Sequence, residues 1–592
     1  MAYTWLDPTQ NLIRLLHLSP ASSEDETIKC RFSIVLLDNK PEYEALSYVW
    51  GDMNDTALAE VDGHRMTITT NLHSALKQLR HKDKDRILWV DALCIDQSKD
   101  QEKMHQVSRM KYIYSQASQV VVWLGTGWDG SNMAMEFLRI LAGDETLHLD
   151  PQVDPSISVN GLYLDSSKLC GHIIRFFNLP WWKRTWTVQE FVLAQKLVFQ
   201  CAQSIVTQKD MYMARENFWR HKDRCCQQDD LDYPHPDFGT SVSTAFIQPA
   251  SLDIITKQRG PSYSVLAAIA NFSNRAVTDP KDRVYGMLGL GTGPYSDLVE
   301  PDYSYSPEKI CELLAMNSVE RTGKLEFLSH LFERDNPKLP SFLPNWTGKF
   351  TWTETYASRI FHTNFFSASL DLPAEVALIS PSLLSTRGVI FDTISALANL
   401  ATSAEDPYCN TSDSRLVAFW HSMCGGMELV LRNSNRFAGP LKGKSDLSKY
   451  HKFAAFFTTP PQQWSRLWDN DMSHIILDVE TAIHGRRFFV TQKGDFGFAA
   501  KACREGDLVA VLAGGNVPYV IRRESRIGHL GMVVKSLVRG VGLVQVIRAC
   551  VKLCFSKCYS ILGDSYVHGV MYGEAFEILN GAERKLGEIV LV

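Results

Sequence analysis

Tyr43-Glu-Ala-Leu-Ser-Tyr-Val-Trp-Gly51-Asp52 is the stretch on which the fold turns. Its core, Ala45–Trp50, is short, apolar and aromatic. It stops at a glycine, as a strand buried on both faces does where it enters a tight loop. Three later runs share this texture: Arg86-Ile-Leu-Trp-Val-Asp91-Ala-Leu-Cys-Ile-Asp96-Gln97, Gln119-Val-Val-Val-Trp-Leu-Gly125 and Leu197-Val-Phe-Gln-Cys201. Helical patterns separate them. Asn71 is placed to cap a helix whose Leu72, Ala75, Leu76 and Leu79 recur at i, i+3, i+4 and i+7. Ser98 and Gln101 resemble a capping box ahead of a stripe of Met104, Val107, Met110, Ile113 and Ala117. Met133–Leu141 is a third helix. Alternating strands and helices predict an α/β domain with a parallel sheet and flanking helices over roughly residues 41–203. Ligands of such sheets lie beyond the carboxyl ends of the strands. That gathers Tyr48–Asp52, Asp91–Gln97 and Gly125–Gly127 at one edge.

Working outward, Thr27–Leu37 alternates apolar and polar residues and is expected to pair with Leu12–Leu18, a β-ribbon extension over residues 1–40. Ala59–Thr70 is expected to be a hairpin turning at Asp62-Gly63. Gly143–Leu169 is a polar excursion. The domain is expected to end near residue 210. An α-rich middle over 211–345 follows, with helices at Ser264–Phe272, Asp279–Leu290 and Pro307–Thr322 and an exposed loop at Asp223–Ser243. Residues 346–592 are expected to be mixed α/β and strand-rich. Ala374–Leu400 forms strands there, Leu416–Leu431 a helix, and Gly506–Arg522 with Tyr559–Met571 a meander around a basic insertion near 523–558.

The bulk composition bounds the rest. With 592 residues, 45% hydrophobic and 21% charged, the chain is globular and multidomain. A net charge of −5 gives no reason to expect nucleic acid as a partner. The apolar stretch Leu537–Leu562 is broken by Arg539, Arg548, Lys552 and Lys557, so no membrane span is expected. No basic segment followed by an apolar run opens the chain, and its 13 cysteines suit reduced thiols. The expected location is cytoplasmic. Cys550, Cys554 and Cys558 line one helical face without a histidine or a Cys-x-x-Cys knuckle, and Cys225-Cys226 with His221 and His235 sits in a polar loop, so no metal site is called. Gly289-Leu-Gly-Thr-Gly293 follows a helix rather than a strand and is no dinucleotide fingerprint.

The chemistry is sought in Arg184-Thr-Trp-Thr-Val-Gln-Glu190, which follows Trp181-Trp182. As a helix it puts Trp186 and Glu190 on one face, a carboxylate beside an indole where an unpaired charge is costly. Glu190 then either pairs with Arg184 or another cation and locks the helix to the sheet, or it reacts. Gly51 is a positive-φ turn or a point of ligand approach. Asp91 is a ligand contact or a cap, Asp96 a turn residue or a ligand contact, and Trp50 and Trp186 core aromatics or stacking surfaces.

The three blocks Tyr43–Gly51, Leu88–Gln97 and Arg184–Glu190, in that order, with Tyr114–Gly125 between them, resemble the fungal heterokaryon-incompatibility (HET) domain. Asp279–Leu290, Asp302-Tyr303 and Gly563–Met571 resemble segments that accompany it. Ile95-Asp96-Gln97 departs from the usual Ile-Asn-Gln. The resemblance implies non-self recognition, with death of fused incompatible fungal cells. It also implies a distant likeness to TIR domains, a flavodoxin-like α/β fold, some of which cleave NAD with the glutamate of a Trp-x-x-x-Glu segment. On that footing Glu190 is the expected catalytic residue, with Tyr48, Trp50, Gly51, Asp91, Asp96, Gln97, Arg184 and Trp186 around the substrate. NAD is then a substrate and no cofactor is required. The competing expectation is a non-enzymatic module that self-associates or recruits other incompatibility proteins.

Overall fold

The computed structural model describes residues 3–149 (apart from 22, 24 and 25), 158–159, 162–163, 167–222, 238–331, 336–348, 354–397, 413–432, 435–441, 447–460, 463, 470–525, 543–577 and 586–592. Residues 223–237 of the expected exposed loop and 526–542 of the expected basic insertion lie outside these residues; 238–243 instead open a helix, and Leu543–Phe555 is a helix within the insertion. The chain divides into two compact units, one of residues 1–268 and 275–305, the other of 269–274 and 306–592. No helix among the described residues is long and apolar enough to cross a membrane.

The first unit opens with β1 (Leu12–Leu18), β2 (Lys29–Leu36), β3 (Glu44–Tyr48), β4 (Thr56–Val61) and β5 (His64–Thr69). Helix α1 (Thr70–Leu79), β6 (Arg86–Trp89), α2 (Asp91–Cys94), α3 (Asp100–Gln116), β7 (Gln119–Trp123) and α4 (Ser131–Gly143) follow. Then come the ribbon β8 (Ser158–Val159) and β9 (Leu162–Tyr163), α5 (Ser167–Phe177), a 3-10 turn at Pro180–Lys183, α6 (Trp186–Val192), β10 (Leu197–Cys201), β11 (Ser204–Thr207), α7 (Gln208–Lys222) and α8 (Phe238–Gln258). Helix α9 (Val265–Asn271) crosses the boundary between the units, and α10 (Asp282–Leu288) completes the first.

One nine-stranded sheet runs β11-β10-β7-β3-β6-β1-β2-β4-β5. Its centre is parallel: β10 with β7, β7 with β3, and β3 with β6. Numbered by their own appearance, these four strands stand in the order 2-1-3-4, so the chain reverses direction across the sheet beside β3. The parallel sheet expected from the sequence is thus the middle of a mixed one. Val120–Val122 and Ala45–Ser47 are almost wholly buried, as strands covered by helices on both faces must be. The β1–β2 pair is not a separate extension. β1 joins β6 antiparallel and β2 joins β4, so the ribbon is built into the sheet. Arg14 of β1, 1% exposed, explains the attachment. It forks onto Glu102 of α3 and donates to the Cys94 carbonyl at 2.9 Å, tying β1 to the Asp91–Gln97 loop. Two expected caps differ. Thr69, not Asn71, accepts from Leu72 N at α1, because Asn71 is drawn to the Val49 carbonyl and the Trp123 indole. Helix α3 has no side-chain cap, because Ser98 turns back to Asp96. The β4–β5 hairpin turns at Asp62-Gly63, both at positive φ, as expected.

The second unit holds helix α11 (Pro307–Thr322), capped by Ser306, and α12 (Glu354–Thr363). Strands β12 (Val376–Ser380) and β13 (Leu383–Leu397) precede α13 (Arg415–Met423) and the hairpin β14 (Met427–Arg432) with β15 (Asn435–Pro440). After helices at Ser448–Thr458 and Asn470–Ile483 come β16 (Arg486–Thr491), β17 (Phe496–Ala500), β18 (Leu508–Leu512), β19 (Tyr519–Arg523), β20 (Cys558–Asp564), β21 (Tyr566–Val567) and β22 (Gly587–Leu591). β18, β19 and β20 form the expected antiparallel meander. With β22 and the long β13 they close into a five-stranded ring, because β13 pairs with both β22 and β18. Phe391, Val509, Val511, Val520 and Val567 share its core. The helix expected over Leu416–Leu431 stops at Met423. Gly425 and Gly426, both at positive φ, end it and lead into β14.

Candidate active site

Every residue of Arg184–Glu190 has its own task. Arg184 donates to the carbonyl of Tyr48 at the end of β3. The Thr185 methyl packs against Gly286 of α10, where an added Cβ would come within 3.0 Å. Trp186 covers the same glycine, with its ring 3.5 Å from that Cβ position, and reaches the carboxylate of Asp282. The Thr187 hydroxyl lies 2.8 Å from the Arg184 carbonyl and 3.1 Å from that of Trp181, closing the first turn. Val188 is core, and the Gln189 side chain abuts Gly289. Glu190 points the other way, into the sheet.

Ser47, one residue from the carboxyl end of β3, donates to Glu190 Oε2, and Trp181 Nε1 donates to Ser47 Oγ at 2.8 Å. An indole N–H can only donate, so the serine oxygen must accept there and its own proton is committed to the glutamate. Trp181 is in turn fixed by edge-on packing against Trp182 and Phe199 of β10, at 4.9 and 5.6 Å between ring centres. The indole that closes over Glu190 is therefore that of Trp181, while Trp186 faces α10. Glu190 is 4% exposed. Burial pushes its pKa up to about 7, against the opposing pull of Arg184 and the Ser47 hydrogen bond, with Asp91 adding to the rise.

Beside it, Trp50 Nε1 donates to Asp91 Oδ2 at 2.7 Å, and the Ala92 amide donates to Asp91 Oδ1 at 2.7 Å. Asp91 opens α2 just past the end of β6, where its carboxylate meets the helix N–H groups. Part of its surface is reachable, yet it is packed closely enough that burial raises its pKa, while the Arg184 charge and the Trp50 bond oppose the rise. The Tyr48 hydroxyl is buried and faces Asp91 outside good hydrogen-bond geometry. Burial first, and Asp91 next, push that phenol well above its ordinary value. Gln97 Nε2 reaches the Asp91 carbonyl at 3.1 Å. Gly51 holds φ +84°, a turn that L side chains rarely adopt, so the backbone reading of this glycine stands whatever else it meets.

The structure thus brings Tyr48, Trp50, Asp91, Arg184 and Glu190 to one place, with Gln97 at its margin. Asp96 turns away from this group. It accepts from Ser98 N and Oγ at 3.1 and 2.6 Å and pairs with Lys99 at 3.7 Å, the arrangement of a loop residue. Burial alone would raise its pKa, but the Ser98 hydrogen bonds and the charges of Lys99 and Arg14 hold it below the usual range. Ser47 and the role of Trp181 were not among the sequence candidates. Their signal was a single hydroxyl inside an otherwise apolar, buried strand, and a tryptophan pair too apolar to be all surface.

A second clamp comes from beyond the expected domain end. Arg275, 5% exposed, donates to the Arg184 carbonyl at 3.1 Å and to Thr187 Oγ1 at 3.2 Å. Ala276 exchanges backbone bonds with Lys183 and Thr185 at 2.6 and 3.2 Å. Burial brings the Arg275 guanidinium down to about 9.

Residues 43–190 match the family model described as "Heterokaryon incompatibility protein (HET)". The match begins at Tyr43, ahead of β3, and ends at Glu190. The chain is also similar to the "Heterokaryon incompatibility protein 6, OR allele" of Neurospora crassa, with 26% identity over 698 aligned positions covering 98% of this chain and 96% of that protein. No solved structure matches. Two lines of likeness, one local and one nearly full-length, agree with the three sequence blocks and support a fungal HET protein, with residues 43–190 matching the HET domain.

Proposed function

We propose that this protein acts in heterokaryon incompatibility by cleaving NAD through its HET domain, with Glu190 as the catalytic carboxylate, and that the loss of NAD drives cell death in the cytoplasm. The observation that carries the reading is a buried carboxylate at the carboxyl ends of parallel strands, held near pH 7 rather than near 4.5. The 2-1-3-4 strand order supports a TIR-like, flavodoxin-like fold, and the group lies beside β3, where the order reverses and ligands of such sheets bind.

The chemistry asks little of the protein. The C1′–N bond of the nicotinamide riboside breaks, its electron pair neutralises the pyridinium, and water attacks C1′ and gives up a proton. The leaving group is already cationic, so no general acid is needed, unlike an ordinary glycoside with its two carboxyls. One ionised carboxylate in a site of low dielectric stabilises the oxocarbenium-like transition state. Ser47 and Trp181 hold Glu190 in place. In this reading Asp91 and Trp50, at the more open rim, bind ribose hydroxyls and stack on the substrate. Trp186 and Arg184 position the helix and the strand end. At 4% exposure Glu190 must be uncovered before it meets substrate, which suits a protein held inactive until triggered.

The reading requires NAD consumption by the full chain that rises with pH through about 7, as Glu190 ionises, and that falls at least 100-fold in Glu190→Gln. Equal turnover by both proteins would end the assignment. The second reading is an assembly module acting by self-association or recruitment. What favours it is that Glu190 is already enclosed and hydrogen-bonded, as a purely structural residue would be. Cell death that survives Glu190→Gln in a folded protein would select it.

A further inference from the structure

We propose that Asp413, His421 and His568 in the second unit form a binding site for one divalent transition-metal ion of the zinc type. Asp413 immediately precedes Ser414, the N-cap of α13, and His421 lies two turns along that helix. His568 follows β21 in the turn before Gly569, which holds φ +80°. Residues far apart in sequence are thus held by two independently anchored elements. One potential ligand atom from each of the three lies within 4.8 Å of the others.

The distances suit a metal. With bonds of about 2.0–2.1 Å, neighbouring ligand atoms around tetrahedral zinc stand about 3.4 Å apart. His568 Nε2 and Asp413 Oδ2 are already 3.1 Å apart, so only His421 must approach, by roughly an ångström. The two imidazole rings meet edge to face, 5.2 Å between centres.

The independent observation is on His421. This residue is 7% exposed, and its Nε2 is buried with no hydrogen-bond partner among the described residues. A buried polar atom without a partner calls for an explanation, and an ion shared with Asp413 and His568 supplies one. His568 also has an outer partner, its Nδ1 lying 3.2 Å from the Tyr566 hydroxyl, and with Nδ1–H donating there Nε2 is the nitrogen left to ligate. Two imidazole nitrogens and one carboxylate oxygen make a donor set for zinc, cobalt or iron rather than for calcium or magnesium. The competing account is a hydrogen bond between His568 and Asp413 that merely fastens the two elements, with no ion between them.

The test uses the full chain in a Cys554→Ser background, which removes an exposed thiol that would itself bind zinc. After chelator treatment and dialysis, zinc is titrated by calorimetry and counted by elemental analysis. The expected result is one ion per chain at micromolar zinc or tighter, at least tenfold weaker in Asp413→Asn and in His421→Phe. His421→Phe keeps an aromatic ring of similar bulk and removes the partnerless Nε2 along with Nδ1, and an unchanged melting temperature without metal verifies folding. Should either variant misfold, the Cys554→Ser parent decides: zinc must raise its melting temperature and Co2+ must give visible d–d absorption. No thermal shift in that protein, or zinc retained equally by the variants, overturns the site.

Discussion

Replacing Glu190 by glutamine should alter stability in a way that depends on pH, and the dependence is more telling than the sign at any one pH. Burial raises the Glu190 pKa from 4.5 to about 7. Between those values the folded chain keeps a proton that the unfolded chain has released, so stability falls as pH rises through this window. Below 4.5 the penalty is absent, and above about 7 it is complete. At 1.36 kcal/mol per pH unit the full penalty is about 3 kcal/mol. Glutamine cannot ionise and escapes it. Its amide still accepts from Ser47 but brings a buried N–H2 group, at a cost of about 1–3 kcal/mol that does not vary with pH. That constant cancels when the difference between variant and wild type is followed from pH 5 to pH 8. The difference should move by about 2.5 kcal/mol in favour of the variant, since part of the penalty is already present at pH 5, or roughly 4 °C in the melting temperature of the first unit. Thermal unfolding at both pH values, followed in that unit, measures it. A flat difference would mean that Glu190 is ionised in the folded chain, neutralised by Arg184, and the argument from burial would fail. The same experiment shows whether Glu190→Gln is folded, which any activity measurement on it needs.

Two other substitutions probe what holds the site. Ser47→Ala leaves the Trp181 indole N–H without its acceptor and Glu190 without its donor, and should cost about 1–3 kcal/mol in unfolding measurements while raising the Glu190 pKa further. Arg14→Ala strands Glu102, 8% exposed, and should cost about 3–5 kcal/mol, whereas replacing Arg14 and Glu102 together by apolar residues of similar size should recover most of it.

The parallel core was legible because its strands carry the plainest signal a sequence offers, β-branched and aromatic runs that end at glycine or aspartate. The β4–β5 hairpin was legible for the same reason, since Asp62-Gly63 needs φ values that few residue pairs supply. What escaped was whatever depends on a partner distant in sequence. Asn71 has the chemistry of a cap, but Val49 and Trp123 compete for its amide. Trp186 shares a helical face with Glu190 by spacing, yet the slot left by the missing side chain of Gly286 draws it to α10. Ser47 in an apolar strand gave no sign of what it would touch. Residues 413, 421 and 568 form no local pattern, so no scan of spacing could have assembled them.

The reach of the folded unit beyond the family match has a consequence for dissecting the protein. The HET match ends at Glu190, and a fragment ending at 210 looks sufficient from sequence. Such a fragment would lack Arg275 and Ala276, and with them two hydrogen bonds from a buried guanidinium and two from the backbone, all to residues 183–187. It would also lack Gly286 and Gly289, whose bare Cα atoms accept Thr185, Trp186 and Gln189, and Phe246 of α8, which packs on Phe177 at 5.1 Å between ring centres. Helix α6 has only seven residues, too few to persist without tertiary support. Amide exchange across Thr187–Val192 should therefore be slow in a fragment spanning 1–305 and fast in one spanning 1–210. Equal protection in the two would show that the sheet alone holds Glu190 in place. Loss of protection would mean that any inactivity of the shorter fragment reports a collapsed helix and says nothing about the chemistry of the carboxylate.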